Sequence, residues 1–216
     1  MTRIELVQRL SVEAGIGAGP ASCLYQTGEY LRVVNWIDMA LEEIQNAHPN
    51  WDFLLTDFSG TATPPITSPS DLGTWKTDGF RYYLTADGIA AEQFLPYIPW
   101  EAFRDTYLMG ASRAQTGVPA VVTVKPDSTL LVAPIPDAAY TIVGEYYSLP
   151  KTMTLDTSVP PFPQFHMAIV WKALAYYGSL YSEPDKEVFG RSQFKPLMKK
   201  LELSQLPKMS WGPSLV

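Results

Sequence analysis

The chain has 216 residues, of which 46% are hydrophobic and 12% aromatic, and it carries a net charge of −6. This length favours one domain with a large insertion or two small domains, and the composition is sufficient for a buried core. The net acidity argues against a protein that grips nucleic acid through phosphates, and the single Cys23 excludes both a disulfide framework and a cysteine zinc cluster.

A short helix is predicted over residues 2–14, where Ile4, Leu6 and Leu10 lie on one apolar side. This segment is charged rather than signal-like, and no apolar run reaches the roughly 18 residues that a membrane span needs, so we expect neither secretory export nor a membrane. The following "GIGAGPAS" is glycine-rich like a phosphate-binding loop, but such a loop follows a strand, whereas here a helix precedes it. A flexible connection between helices is the better interpretation.

The strongest helical pattern covers residues 28–47. Its apolar residues repeat every three or four positions and form two adjacent lines, so the buried arc is wide. The main line is Tyr30, Val34, Ile37, Leu41 and Ile44, and the second is Val33, Trp36, Ala40 and Ala47. Pro49 limits the end of the helix. Such a helix suits the interior of a bundle.

Composition changes at residue 59, where a stretch rich in Ser, Thr and Pro predicts an extended linker or arm over residues 59–74. From 75 to 150 the pattern is mostly β. The run "GFRYYL" predicts a strand, and residues 120–125, 129–132 and 140–147 predict an antiparallel meander. Between them, "PWEAFRDTYL" predicts a short helix with its proline in the first turn.

Helical periodicity returns after residue 150. One helix is predicted over about 165–180, along the line Phe165, Ile169, Ala173, Tyr176 and Leu180. A final helix is predicted over about 185–203, and Pro196 is expected to kink or divide it. The end, "SQLPKMSWGPSLV", has no periodicity.

The order of these elements predicts an α+β fold, in which the N- and C-terminal helices form a helical bundle and an antiparallel β-rich region is inserted between them. Residues 1–58 and 151–203 then form the two halves of the bundle. Residues 59–74 are the linker, 75–150 the β-rich insertion, and 204–216 an extended C-terminal docking tail.

Few residues are candidates for catalysis or for metal binding. His48 and His166 adjoin helix boundaries in different segments, which favours capping or surface roles over a metal pair, and Cys23 is better explained as a buried thiol than as a nucleophile. The motif "SLPK" at 148–151 has the spacing of acyl-transfer serine enzymes, but its proline prevents the helical turn that the motif needs. We therefore expect no enzyme activity, no catalytic residue, no metal and no cofactor.

The sequence leaves the role of two features open. Residues 185–208 hold six basic and three acidic groups, leaving −9 for the rest of the chain, and this fits either a solvated helix face or a docking segment for an acidic partner. The aromatic clusters "RYYL", "EYY" and "AYYG" fit a carbohydrate-binding face, a core, or a contact between subunits.

Four stretches in order resemble the head-to-tail adaptor (connector) proteins of tailed bacteriophages. They are the "LVQRL" helix, "TGEYLRVVNWIDMALEEIQNAHPNWDFL", "TGVPAVVTVKPDSTLLVAPIPDAAYTIVGEYYSLP" and "PPFPQFHMAIVWKALAYYG". The resemblance covers about residues 4–182, and it rests on the ordered series rather than on any single motif.

The resemblance implies a structural virion protein in the neck between head and tail, present in the host cytoplasm during assembly. It implies a ring of identical subunits, commonly twelve, which docks beneath the portal protein, joins the DNA-filled capsid to the next tail, nozzle or stopper protein, and lines the channel for genome ejection. The net acidity fits a channel through which DNA slides without specific binding.

Within this interpretation, the basic end of the last helix and the tail dock the portal, and Trp211 is the anchor. The predicted docking residues are Lys195, Lys199, Lys200, Lys208, Met209, Trp211, Leu215 and Val216. The side chains predicted to pack between subunits are Trp36, Tyr82, Tyr146 and Tyr147.

Two other classes of function compete with the adaptor. A tail-associated module that binds a glycan or receptor would use the tyrosine-rich region 75–150. A cell-wall hydrolase carried in the virion would need a convergent acid or histidine site, and the sequence reveals none.

Overall fold

The computed structural model describes residues 1–63, 66–162 and 164–206 and divides the chain into two compact units. One unit joins Met1–Leu54 to the residues from Pro150 onwards, and the other is the insertion Leu55–Leu149. Four of the five described α-helices lie in the first unit and all the named strands in the second. The predicted fold class, an α+β chain with a β-rich region inserted into a helical bundle, is confirmed.

The helices are α1 (Arg3–Glu13), α2 (Gly28–Asn46), α3 (Trp100–Tyr107), α4 (Met167–Leu180) and α5 (Pro184–Gln205). Thr2 caps α1: its hydroxyl accepts the Glu5 N–H, and the Glu5 carboxylate accepts the Thr2 N–H, which satisfies two donors that the first turn leaves unpaired. The region from 15 to 27 between α1 and α2 is a loop, as predicted.

Two predictions about the C-terminal helices are wrong in detail. Phe165 lies before α4 with a φ of 63°, so it is not part of the helical line. Pro196 does not divide the last helix, since α5 continues through it, while the predicted kink stays a prediction. Pro196 is exposed, so water can solvate the carbonyl that loses its hydrogen bond, while the buried Leu201 holds the second half of the helix in place.

α4 is the central helix of the bundle and packs against α1, α2 and α5. Arg32 of α2 donates to the Tyr181 hydroxyl just beyond the end of α4, and Glu43 of α2 accepts from Lys172 near the start of α4. α2 therefore runs antiparallel to α4. Because α4 and α5 are joined by residues 181–183 and are also antiparallel, α2 and α5 run in the same direction.

α4 and α5 approach each other closely at two glycines. A Cβ on Gly190 would lie 2.7 Å from the Trp171 carbonyl oxygen and 2.9 Å from the Ala175 nitrogen. A Cβ on Gly178 would meet the backbone of Glu187. Small residues at these positions let the two backbones pack together without an intervening side chain.

The insertion contains one four-stranded sheet and two small pairs. The strands are β1 (Leu55–Thr61), β2 (Leu72–Leu84), β3 (Gln93–Phe94), β4 (Thr116–Gly117), β5 (Val121–Val124), β6 (Leu130–Ala133), β7 (Ile135–Pro136) and β8 (Tyr140–Ser148). The large sheet has the order β1-β8-β2-β3 and is antiparallel. β5 pairs with β6 antiparallel, and β4 with β7 parallel.

The predicted meander of three strands is wrong. β5 and β6 pair as expected, but β8 lies between β1 and β2 instead of beside β6. β8 has mostly buried residues along its length and therefore takes a central position with a partner on each side. β1 supplies one of these partners although its sequence, "LTDFSGT", has weak strand propensity, so pairing with β8 overrides that preference.

The stretch 59–74, expected to be a linker, has both ends in strands, since β1 continues to Thr61 and β2 begins at Leu72. Between them, Ile66 is buried and bridges to Leu130.

The core of the insertion is aromatic and closely packed. A Cβ on Gly144 would overlap the ring of Phe80, so glycine at this position lets the ring lie flat on β8. The buried core cluster is Phe58, Ala62, Ile66, Trp75, Phe80, Tyr82, Leu95, Val122, Leu130, Val132, Tyr140, Ile142 and Tyr146.

Candidate functional site

The two histidines lie in different surroundings and each has a structural partner. His48, just after α2, has its Nε2 3.1 Å from the Glu202 carboxylate of α5. His166, just before α4, donates from Nε2 to the Phe162 carbonyl oxygen at 2.9 Å, and its Nδ1 lies 2.7 Å from the N-terminal ammonium. Burial lowers the pKa of His166 below its usual value. In the described part of the chain, no three His, Cys, Asp or Glu side chains are grouped to hold a metal ion.

Cys23 is a buried structural thiol. Its backbone N–H donates to Asp156 Oδ1 at 2.7 Å. Burial, together with a hydrogen bond to Asp156, raises the pKa of the thiol to about 12. Because only the thiolate is a strong nucleophile, the raised pKa and the burial both disfavour reaction of this thiol near neutral pH.

The Ser-x-x-Lys spacing at 148–151 does not lie on a helix. Ser148 is the last residue of β8, and Lys151 lies in an extended segment where its backbone N–H donates to Gln45 Oε1 at 2.8 Å. The Lys151 carbonyl accepts from Gln45 Nε2 at 2.9 Å. The motif is therefore part of a connection that is tied to α2 through its backbone.

The contacts between α2 and α4 are polar as well as apolar. Lys172 donates to Glu43 at 2.5 Å, and the Tyr176 hydroxyl also donates to this carboxylate. Burial alone would raise the pKa of Glu43, but these two hydrogen bonds outweigh it, so the pKa is lowered. The carboxylate thus remains ionised and fixes α2 on α4.

The outer face of α5 is exposed, with charged and apolar residues at helical spacing. We call it the α5 stripe, and it consists of Val188, Ser192, Lys195, Lys199 and Leu203. Its two apolar side chains are strongly exposed, 67% for Val188 and 70% for Leu203. A helix that served only as a bundle wall would not need large apolar groups on this side.

Three of the predicted docking residues lie on α5. Lys195 and Lys199 belong to the α5 stripe, and Lys200 lies beside it. All three are exposed, and none forms an ion pair with a described residue, in contrast to Arg191, which pairs with Glu187 at 2.6 Å. The other predicted docking residues, Lys208, Met209, Trp211, Leu215 and Val216, lie outside the described residues.

α2 has an exposed stripe of its own. This α2 stripe consists of Leu31, Asn35, Met39, Glu42 and Asn46, spaced by four, four, three and four residues. Leu31 is 42% exposed and Met39 52%. The two apolar lines recognised in the sequence include neither residue, although the spacing of Leu31 and Met39 by eight positions was a signal that a further helix face carries apolar groups.

The four side chains predicted to pack between subunits lie within the chain's own core. Trp36 contacts Tyr177 edge-on at a ring-centroid distance of 5.8 Å, and Tyr82 contacts Tyr140. Tyr146 packs on Trp75 and donates to Asp71. Trp36, Tyr82, Tyr146 and Tyr147 are each at most 9% exposed, so the surface that they offer to another subunit is small.

A tightly packed bundle with exposed apolar and charged helix faces defines a structural subunit of the kind that assembles with other proteins. Residues 1–210 match the family model described as SU10 adaptor protein, and the chain belongs to this family. The match confirms the resemblance to phage head-to-tail adaptors. The protein is thus a structural adaptor component of a phage virion, and it associates with other virion proteins.

A comparison with curated proteins found no match to the chain. In the described residues, no helix combines the length and the apolar character that a membrane crossing requires.

Proposed function

We propose that the chain is the repeating subunit of a head-to-tail adaptor ring in the neck of the virion, which docks beneath the portal and joins the DNA-filled head to the tail. The match to the adaptor family over residues 1–210 carries this proposal, because it covers the bundle and the insertion alike. By the family resemblance, the ring commonly has twelve copies. The tail, nozzle or stopper protein binds on the side away from the portal.

The bundle suits a rigid ring wall. Its central helix α4 is buried against three others, and close backbone packing at Gly178 and Gly190 leaves little room for α4 and α5 to shift. Polar contacts from Glu43 fix α2 on the same helix. A subunit of this kind transmits load between the head and the tail without changing shape.

The ring lets DNA pass through its channel without gripping it. The net charge of −6 makes phosphate contacts unfavourable over most of the surface. The test is fluorescence anisotropy of the purified protein with labelled duplex DNA at physiological salt. We expect no binding at micromolar concentration, and a salt-dependent complex would contradict a passive channel.

Of the predicted docking residues, Lys200 and the tail beyond α5 are proposed to bind the portal, where Lys208, Met209, Trp211, Leu215 and Val216 provide cationic and apolar groups. Lys195 and Lys199, which the sequence analysis also predicted to bind the portal, are proposed to contact a neighbouring subunit instead. Of the tail residues, Trp211 is the proposed anchor, because large aromatic side chains dominate many interfaces. The partner surface on the portal is then acidic with an apolar pocket.

The experiment is a co-sedimentation assay of the full chain with purified portal, followed by electron microscopy of the complex. Deletion of residues 207–216, which leaves α5 and its C-cap Leu206 in place, should abolish binding while the helical circular dichroism stays unchanged, and Trp211→Ala should weaken binding by roughly tenfold or more. Lys200→Glu should also weaken binding, and Lys151→Glu, a charge reversal away from α5, is its matched control. Undiminished binding by the deletion variant would refute the docking arm, and absence of any ring on the portal would refute the adaptor function.

The glycan-binding alternative is not favoured by the geometry of the β-rich insertion. Sugar binding by stacking needs exposed aromatic rings, but Tyr82, Tyr140, Tyr146 and Tyr147 are buried. These four tyrosines are packed in the interior and do not present the exposed rings that such a site needs.

A further inference from the structure

α2 and α5 both pack on α4, and they also meet at one end, where His48 just after α2 contacts Glu202 of α5. α4 meets α5 through Trp171, Ala175 and Gly178. It meets α2 through Tyr177, which packs on Trp36 and lies about 160° around the helix from Ala175, at 100° per residue; the Tyr177 ring also contacts Lys186 of α5. α2 and α5 each have an exposed stripe that no described residue covers.

The α5 stripe and the α2 stripe are complementary in charge. The α5 stripe has two lysines and no acid, and neither Lys195 nor Lys199 has an ion-pair partner in the described residues. The α2 stripe has one charged residue, Glu42, which also has none there. Opposite charges without internal partners are available for a contact with another molecule.

The two stripes also match in spacing and direction. If the helices are laid side by side in parallel, Val188 faces Leu31, Lys195 faces Met39 and Lys199 faces Glu42. The remaining positions pair Ser192 with Asn35 and Leu203 with Asn46. Each step is three or four residues, or about 5–6 Å along the helix, so the five layers stay aligned over the length of the contact.

Parallel helices are what a ring with its axis along the bundle requires. Rotation about such an axis leaves the direction of every helix unchanged, and α2 and α5 already run the same way within one subunit. A contact between two different surfaces of the same chain is heterologous, and such contacts form a ring when the rotation between neighbours closes and a filament when it does not. The orientation and the chemistry thus point to the same occupant, a second copy of this chain.

We propose that the α5 stripe of one subunit packs on the α2 stripe of the next, with an ion pair between Lys199 and Glu42 and with Val188 on Leu31 at one end. This inference rests on the proposed ring function and names the surfaces that build the ring. It assigns Lys195 and Lys199 to the neighbouring subunit and leaves Lys200 and the tail for the portal. It also replaces the buried aromatic residues as the source of subunit packing.

Cysteine cross-linking of the full chain tests the contact. Met39→Cys combined with Lys195→Cys places thiols on facing positions, and mild oxidation should produce a ladder of linked chains on a non-reducing gel, with and without portal. Met39→Cys with Gln193→Cys is the matched control, because residue 193 is exposed on α5 but lies about 160° from residue 195. The native Cys23 is buried, so we expect it to form no cross-link.

Charge reversal gives a second test. In the cross-linking pair, Lys199→Glu or Glu42→Lys alone should lower the yield of linked chains by about fivefold, and the two together should restore it. Equal linking by the control pair, or no rescue by the double reversal, would overturn the proposed contact. If electron microscopy shows a ring on the portal while the facing cysteines do not link, the contact fails and the adaptor function stands. If no ring forms, the failure lies with the proposed function.

Discussion

Replacing Gly190 by alanine tests the close packing of α4 against α5. The new Cβ would lie 2.7 Å from the Trp171 carbonyl oxygen and 2.9 Å from the Ala175 nitrogen. Both atoms belong to the backbone of α4, so no side-chain rotation relieves the overlap. The two helices must move apart, and the contacts on either side of Gly190 loosen with them.

Two opposing effects set the magnitude. Alanine stabilises a helix interior by about 0.8–1 kcal/mol relative to glycine. Inserting a methyl group into a well-packed contact costs about 1–3 kcal/mol, and a clash with backbone belongs at the upper end of that range. We therefore expect Gly190→Ala to lower the free energy of unfolding of the bundle by about 2 kcal/mol.

The assay is urea unfolding followed by far-ultraviolet circular dichroism, which reports mainly on the helical unit. Gln193→Ala is the control, since this exposed position on the same helix should change stability by less than about 0.5 kcal/mol. Gly178→Ala should cost more than Gly190→Ala, because its Cβ would come still closer to the backbone of Glu187. If Gly190→Ala gained the stability that helix propensity alone provides, the close approach of the helices would be refuted.

Three further predictions concern individual groups. Arg3 is buried and donates to Asp38 at 2.5 Å, so Arg3→Ala should lower the free energy of unfolding by about 2 kcal/mol. Arg9→Ala removes an exposed ion pair within one helix and should lower it by only about 0.5 kcal/mol. Urea unfolding measures both values. Burial lowers the pKa of His166 in the folded chain, so below about pH 6.5 the unfolded chain binds more protons than the folded chain. The free energy of unfolding should therefore fall as the pH drops from about 6.5, and it should fall less in His166→Gln. Cys23, with a pKa of about 12, should react with iodoacetamide more than about tenfold slower in the native protein than in urea.

Each of these predictions has a clear contrary outcome. Equal losses for the Arg3 and Arg9 variants would mean that burial adds nothing to the Arg3 contact. An acid limb of the stability profile that is unchanged in His166→Gln would assign it to carboxylates, which titrate at lower pH. Rapid alkylation of native Cys23 would mean that the loop around it opens readily.

The helices were predictable because each signals itself locally. In α2, residues such as Ile37 and Leu41 recur at the helical period and are buried as expected. The strands were harder to assign, since β1 has few β-branched or large apolar residues and becomes a strand only through its partner β8. Its pairing joins residues about 85 positions apart in sequence, and no local pattern records such a contact.

The candidate surfaces were predictable in part for a similar reason. The basic character of α5 is visible in composition, but composition does not separate Lys199, on the outer stripe, from Lys200 beside it. The burial of the aromatic residues was not predictable from composition either: Tyr146 and Tyr147 have the chemistry of an interface, yet both are buried within the chain. Burial depends on neighbours that the fold brings together, and only the structure identifies these.

The two ends of the β-rich insertion lie side by side. Its first strand, β1, pairs with its last, β8, so that Leu55 lies opposite Tyr147. Paired backbones in a sheet are only about 5 Å apart, and the chain therefore departs from the helices and returns to them at adjacent points. Evolution can lengthen, trim or exchange a segment anchored in this way without rerouting the rest of the polypeptide. One helical frame can in this way carry insertions of different length and sequence.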